Sequence, residues 1–326
     1  RWYIRRSFSI MAISKINSLA LASVAKVNSL VKASMAKINS LANELFTNNY
    51  AISKATSTGS GHYITASIAG GGSLCPDQDD AFTISIWVKA GWNSSLNTNI
   101  HLWTMTTDGH SNWQTNTIRC YYREDNNRLS FHMGSSESGS YKYLTRMWLF
   151  HTNSGIYAAS YAAAGLGTTY WSSSNRGNVG NNDFTMITFV KSSGTSSSDI
   201  KCYWNATDCG DVDVSSDSDP GNMAMDTSTN RTLTIGSTAN FNSYIKTGNN
   251  NETQYNDFAI WNTALDAENI EAIYNNGAPI NLKKDSGNYS GSSNLKMYHK
   301  FENSGVDTAG GTGDLTVAGD SNYETL

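Results

Sequence analysis

The chain has 326 residues, with 39% apolar and 15% charged side chains, 27 glycines, three prolines and a formal net charge of −4. This length holds one sizeable β domain with an appendage, or two small domains, and the composition excludes a charge-rich disordered chain, a proline-rich linker and a collagen-like stalk. A pI near 5.9 gives no electrostatic case for nucleic acid or anionic membrane, and no apolar run approaches the roughly 20 residues that cross a bilayer.

Residues 1–10, RWYIRRSFSI, lack a long apolar core and a small-residue cleavage site, so they do not read as a secretory signal, and Met11 reads as a natural start. Three copies of one pattern follow. Ile13, Ile16 and Leu19 recur as Val24, Val27 and Leu30 and again as Met35, Ile38 and Leu41, each copy with Asn-Ser before its leucine and a period of eleven. On a helix that period is about 3.67 residues per turn and places the nine apolar residues on one face with a slight right-handed supercoil. A β reading stands beside it, because each Asn-Ser can turn the chain between Ile- and Val-rich flanks. The copies resemble the IAKVNGV arrays of structural proteins of marine tailed phages, in which Asn-Gly fills the turn; here Ser replaces that Gly in every copy. Three copies bury too little to stand alone. Residues 1–47 are therefore expected to be an attachment or oligomerisation segment, with a homotrimer or docking on other virion proteins as its use.

From Asn48 the texture turns to short strands between Ser/Gly turns. Strands are expected at 50–54, 62–68, 82–89, 100–105, 118–122, 129–132, 148–151 and 184–191, the clearest being Phe82 to Lys89 with Phe82, Ile84 and Ile86 on one face. Ile200 to Thr207 reads as a hairpin turning at Asn205-Ala206, and Thr232 to Gly236 as a further strand. Asp257 to Trp261 alternates as a half-buried strand. Asp266 then caps a short helix carrying Leu265, Ile270 and Ile273 at helical spacing, and Asn275, Asn276, Gly277 and Pro279 end it. The final strand candidates are Lys296 to Glu302 and Gly313 to Val317.

These segments resemble, in order, strands of laminin-G-like, concanavalin A-like domains. FTISIWVK at Phe82 is similar to that family's FTISxWVK strand, Phe184 to Thr207 to its long hairpin, and Thr232 to Gly236 to its LxIG strand. Tyr255 to Pro279 is similar to its DxxxWNxALSxEEIxxLYNxG segment. The resemblance implies an all-β jelly-roll sandwich over residues 48–326, with Tyr255 to Pro279 as its penultimate strand and covering helix. Residues 134–182 fit worst and are expected to be an insertion or loop.

Chemistry is sparse. No E-x-D-x-E set is present, Glu124 and Asp125 would point to opposite faces of a strand, and Asp211-Val-Asp213 lacks a third carboxylate, so the glucanase activity known in this fold is not expected. No G-x-S-x-G, H-E-x-x-H or P-loop occurs. The laminin-G resemblance implies a calcium at a loop rim, for which Asp77, Asp79 and Asp80 are one candidate set; solvated acidic turns are the alternative. Cys202 and Cys209 fall opposite one another across the Asn205-Ala206 turn, about 5.5 Å apart at Cα, within disulfide range; buried thiols are the alternative. Trp92, Trp113, Tyr170 and Trp171 lie in loop-like segments, where they either stack on sugar rings or pack the rim. The combined reading is a non-enzymatic virion structural protein, such as a capsid decoration, appendage or tail fibre, displaying a lectin-like jelly roll toward host-surface glycan. A bacterial carbohydrate-binding adhesin is the alternative. No nucleic acid partner and no membrane insertion are expected.

Overall fold

The computed structural model describes residues 50–54, 63–89, 100–107, 116–123, 128–137, 140–149, 184–209, 220–236, 253–309, 314–318 and 321–325, all within the unit Asn48–Leu326. The apolar repeat positions from Ile13 to Leu41 lie outside the described residues.

Among the described residues the strands in chain order are β1 (Tyr50–Lys54), β2 (Tyr63–Ile68), β3 (Phe82–Lys89), β4 (Ile100–Thr107), β5 (Thr117–Arg123), β6 (Arg128–Glu137) and β7 (Ser140–Leu149). They continue as β8 (Thr185–Lys191), β9 (Ile200–Trp204), β10 (Thr207–Asp208), β11 (Arg231–Ile235), β12 (Thr253–Trp261), β13 (Leu295–His299), β14 (Thr316–Ala318) and β15 (Ser321–Thr325). The first sheet runs β10-β9-β8-β3-β12-β1-β15, with β13 pairing the second half of β12 on the edge that β1 pairs along its first half. The second sheet runs β14-β2-β11-β4-β5-β6-β7. All the pairings are antiparallel. The domain is an all-β, concanavalin A-like jelly-roll sandwich with one α-helix among its described residues, α1 (Ala267–Tyr274).

Alternation decides the core. Phe82, Ile84, Ile86 and Val88 of β3 point inward beside Tyr255, Phe258 and Ile260 of β12, and the second sheet answers with Trp103, Met105, Ile118, Phe131, Met133 and Leu233. Phe131 bridges the sheets, 6.1 Å from Phe82 and 5.5 Å from Phe189 between ring centroids, and Trp103 meets Phe258 edge-on at 6.4 Å.

The other face of β3 and β12 is covered as well, which corrects the half-buried reading. Every residue of β3 from Phe82 to Val88 is buried. Trp87 stacks on Tyr274 of α1 at 5.7 Å and 16°. Trp261 donates its indole N–H to Tyr289 Oη (3.0 Å), whose hydroxyl donates to Leu282 O (2.7 Å). Thr83 donates its hydroxyl to Thr263 O (2.8 Å) and accepts from Leu265 N (2.9 Å). The helix is specified as expected: Asp266 Oδ1 accepts from Asn269 N at 2.8 Å, Ile270 and Ile273 are buried, and Asn275 closes it in the left-handed region at φ 44°, ψ 48°.

Three further corrections concern strand placement. Three strands follow β12, so the Tyr255 stretch is not penultimate. The strand placed at 148–151 runs Ser140–Leu149 instead, pairing residue for residue with β6 inside the stretch taken for an insertion. The strand β15 was not anticipated; it pairs the whole of β1, whose register carries Tyr50 opposite Thr325.

The β9–β10 hairpin turns where expected. Asn205 and Ala206 take φ 47° and 66°, the two positive values of a type I′ turn, and Asn205 Oδ1 accepts from Met186 N at 2.9 Å, tying the turn to β8. An alanine in that conformation is strained, since its Cβ crowds the following carbonyl. Ala206→Gly is therefore expected to raise the free energy of unfolding by roughly 0.5–1 kcal/mol in urea titration, the relief exceeding glycine's entropic cost.

Candidate functional site

The two faces of the second sheet differ in kind. Inward it is apolar; outward, register aligns polar side chains into rows across the strands. The central row is Thr316, Thr65, Thr234, Thr104, Arg119, His132 and Thr145, running from β14 to β7. On one side lie Ser67, Thr232, Thr106, Thr117, Gly134 and Tyr143, and on the other His101, Tyr121 and Ser130. Threonine suits these positions because its branched Cβ favours the strand while its hydroxyl faces outward.

Over β4 to β6 the row is tightly organised. The Arg119 guanidinium carbon sits 4.4 Å above the Tyr121 ring, and His101 stacks on that ring at 5.4 Å and 24°. His132 stacks on Tyr143 at 5.7 Å and 30°, and its Nδ1 shares a hydrogen bond with Thr145 Oγ1 at 2.8 Å. His101 Nδ1 pairs with Thr104 Oγ1 at 3.3 Å, and the Thr106 and Thr117 hydroxyls meet at 3.1 Å. His101, Arg119, Tyr121 and His132 are 2–6% exposed, whereas Tyr143 of β7 is half-buried and Ser67 of β2 is exposed. The face thus grades from a covered polar floor to open margins. Among the described residues, Ser130 Oγ and Thr234 Oγ1 are buried with no hydrogen-bond partner.

Charge on this floor is set by burial. Burial, and after it the Arg119 cation, pushes His101 down to about 3 and holds His132 well below the usual imidazole range. Both rings are therefore neutral near pH 7, and Arg119 is the charged group between them. The described residues of this face include no carboxylate. Hydroxyls and aromatic faces of this kind orient polyhydroxylated ligands through hydrogen bonds and stacking, and the open margin at Ser67, Thr316 and Tyr143 is where such a ligand can reach; the described residues of this face lack the paired acids of glycoside hydrolysis.

The calcium expectation meets a different geometry. Asp77 Oδ1 accepts from Gln78 N (2.7 Å) and Met225 N (3.1 Å), and Asp80 Oδ2 accepts from Asp77 N (2.8 Å). Beside them the buried Lys191 ammonium donates to Asp80 O (3.2 Å), Ser192 O (3.1 Å) and Gly194 O (2.8 Å). Asp77, Asp79 and Asp80 do not fit calcium: Asp77 and Asp80 spend carboxylate oxygens on backbone N–H groups, the Asp80 carbonyl already accepts from the Lys191 ammonium, and no metal-holding group of three side chains occurs among the described residues. Close by, Arg231 is fully buried and donates from Nη2 to Asp226 O (3.1 Å) and Pro76 O (3.4 Å), bracing this turn against the 223–230 loop.

Of the other expected site residues, Trp92, Trp113, Tyr170 and Trp171 lie outside the described residues. Cys202 and Cys209 are brought together: Cys209 N–H donates to Cys202 O at 2.9 Å, and both are free thiols facing the core. The polar rows were not anticipated.

No protein-family model matches the chain, and no curated protein matches it. Among solved structures it is similar to the native heptameric SAP-like pentraxin of Limulus polyphemus, at 12% identity and TM-score 0.38 over 70% of this chain and 82% of that one. It is similar to the binding domain of botulinum neurotoxin serotype D at 13% identity and TM-score 0.33, over 60% of this chain and 36% of that chain. A third is the CBM40 of Ruminococcus gnavus IT-sialidase, bound to α2,3-sialyllactose, at 10% identity and TM-score 0.34 over 60% and 83% of the two chains. The fold assignment rests on strand order and register.

Two outcomes follow from this geometry. The unfolded chain takes up protons on histidine below about pH 6.5 while His101, His132 and His299 resist, each held down first by burial, so their contribution is present above that pH and lost as pH falls through their lowered values, about 3 for His101. Imidazole NMR titration should show His101 unprotonated at pH 5.5 in the folded protein, with His132 and His299 titrating below the ordinary imidazole range. Lys191→Met strands three carbonyls and is expected to cost about 2 kcal/mol in denaturant titration.

Proposed function

We propose that the jelly roll binds carbohydrate without transforming it, and that in the whole protein it is the displayed head of a tailed-phage virion structural protein attached through the repeats of residues 1–47. The observation that carries the binding reading is the outward face of the second sheet: in-register hydroxyls, two aromatic–imidazole stacks and a guanidinium, with no carboxylate among its described residues. Fold alone does not fix function, so the weight falls on this face. Trp92, Trp113, Tyr170 and Trp171 would add stacking surfaces from the loops. The period-eleven repeats and their resemblance to phage arrays support the attachment role, and host-surface glycan is the ligand such a head would meet.

A glycan array probed with the full chain is expected to return a specific saccharide class. Tyr143→Ala, which removes the half-buried partner of His132, should weaken binding of the best hit about tenfold, close to 1.4 kcal/mol. An array without hits contradicts the binding reading. Binding unchanged in Tyr143→Ala but abolished in Trp92→Ala or Trp171→Ala moves the site to the loops. Sedimentation of the full chain should show a trimer, and a monomer contradicts the attachment role.

A further inference from the structure

The Cys202–Cys209 pair is used by neither the polar face nor the repeats. The type I′ turn sets Trp204 opposite Thr207 and Tyr203 opposite Asp208. One step further, Cys209 lies opposite Cys202, and the 2.9 Å bond from Cys209 N to Cys202 O makes them a hydrogen-bonded cross-strand pair. Cα atoms at such a pair are about 5.5 Å apart, inside the span a disulfide bridges without moving the backbone. Alternation turns both side chains to the same, inner face, where the Cys209 thiol donates to Thr207 O at 3.9 Å. Cys202 is fully buried and Cys209 is 7% exposed, so of the two Cys209 lies nearer to solvent. Cys120 faces them from the other sheet, but facing sheets stand about 10 Å apart, beyond disulfide reach for Cα atoms.

The hairpin's position gives a bond here a consequence. The two-residue β10 is the edge of the first sheet; two ladder pairs, the Cys209 N–H bond and an exposed Lys201–Asp208 ion pair at 3.9 Å tie it to β9. Burial, and then the hydrogen bond with Cys209, keeps the Cys202 thiol well above its ordinary pKa and thus protonated and slow to react while the pair is open.

We propose that Cys202 and Cys209 are a latent cross-strand disulfide, open while the chain folds in a reducing compartment and closed once the protein meets a disulfide oxidant. The Cys209 thiolate attacks one sulfur of an external disulfide, such as oxidised glutathione, releasing one thiol and forming a mixed disulfide. Cys202 then gives up its proton and attacks the Cys209 sulfur, releasing the second thiol. One Sγ–Sγ bond forms, and the oxidant takes up the two electrons and two protons. Closure locks the edge of the sheet after folding and requires no assumption about glycan binding.

The test is to incubate the full native chain with oxidised glutathione and map its peptides without reduction. The expected result is a 202–209 crosslink, a midpoint of thermal unfolding raised by roughly 5 °C and reversal of both by dithiothreitol. Cys209→Ser and Cys209→Ala should fold and show no shift on oxidation, and either variant suffices as the control. Free thiols at both positions after prolonged exposure, a crosslink to Cys120 or Cys75 instead, or a crosslink that lowers the midpoint would each overturn the proposal.

Discussion

The pairing of β3 with β12 is the constraint on which the rest of this structure depends. Both strands bury side chains on both faces, so the pair needs a partner on each side. The second sheet covers one face through Phe131 and Trp103, and the 262–294 segment covers the other through Tyr274, Leu265 and Tyr289. Trp87, Trp261, Ile270 and Ile273 are all buried beneath that outer cover, and each such side chain is worth about 1.5–3 kcal/mol of transfer energy. A bulge in β12 makes the fit work. Asp257, at φ 45°, breaks the register between Asn256 and Ala259, and its carboxyl accepts from the Tyr298 hydroxyl at 2.6 Å while burial pushes its pKa up to about 7.

The second sheet resolves the same problem differently. Its inner face is as apolar as its partner's, but its outer face carries threonine, histidine, arginine and tyrosine in register. Covering that face costs desolvation, which neighbouring polar groups offset pairwise, as in His132 with Thr145 and Thr106 with Thr117. The Ser130 and Thr234 hydroxyls remain without that offset at about 1–3 kcal/mol each. A surface needed only to pack would be cheaper if apolar. Under the proposed reading the ligand meets this face at its open margin, where Tyr143 is half-buried and Ser67 and Thr316 are exposed.

Much of the sandwich was legible because alternation is a local signal. Phe82 to Lys89, Thr185 to Lys191 and the Asn205-Ala206 turn all stand where residue pattern and turn chemistry place them. So does α1, whose cap and left-handed stop are side-chain and backbone preferences of Asp266 and Asn275. The misses are non-local. Nothing in Ser321 to Thr325 signals that it pairs β1 from the far end of the chain, and nothing in Ser140 to Leu149 outweighs its polar flanks until β6 lies beside it. The polar rows were invisible for a related reason. Thr65, Thr104 and Thr234 look like ordinary strand formers, and only the registers of four pairings bring Arg119 and His132 into line with them. Asp77, Asp79 and Asp80 cluster in sequence, and only the fold reveals that the Lys191 ammonium, more than a hundred residues away, donates to the Asp80 carbonyl.

The claim that the outer face of the second sheet is the ligand-binding face is tested most directly by proton–carbon NMR of the aromatic and imidazole side chains during titration with a bound saccharide. The account predicts saturable shifts for His132 and Tyr143, extending to His101 and Tyr121. Saturable binding that leaves all four resonances unmoved would contradict it.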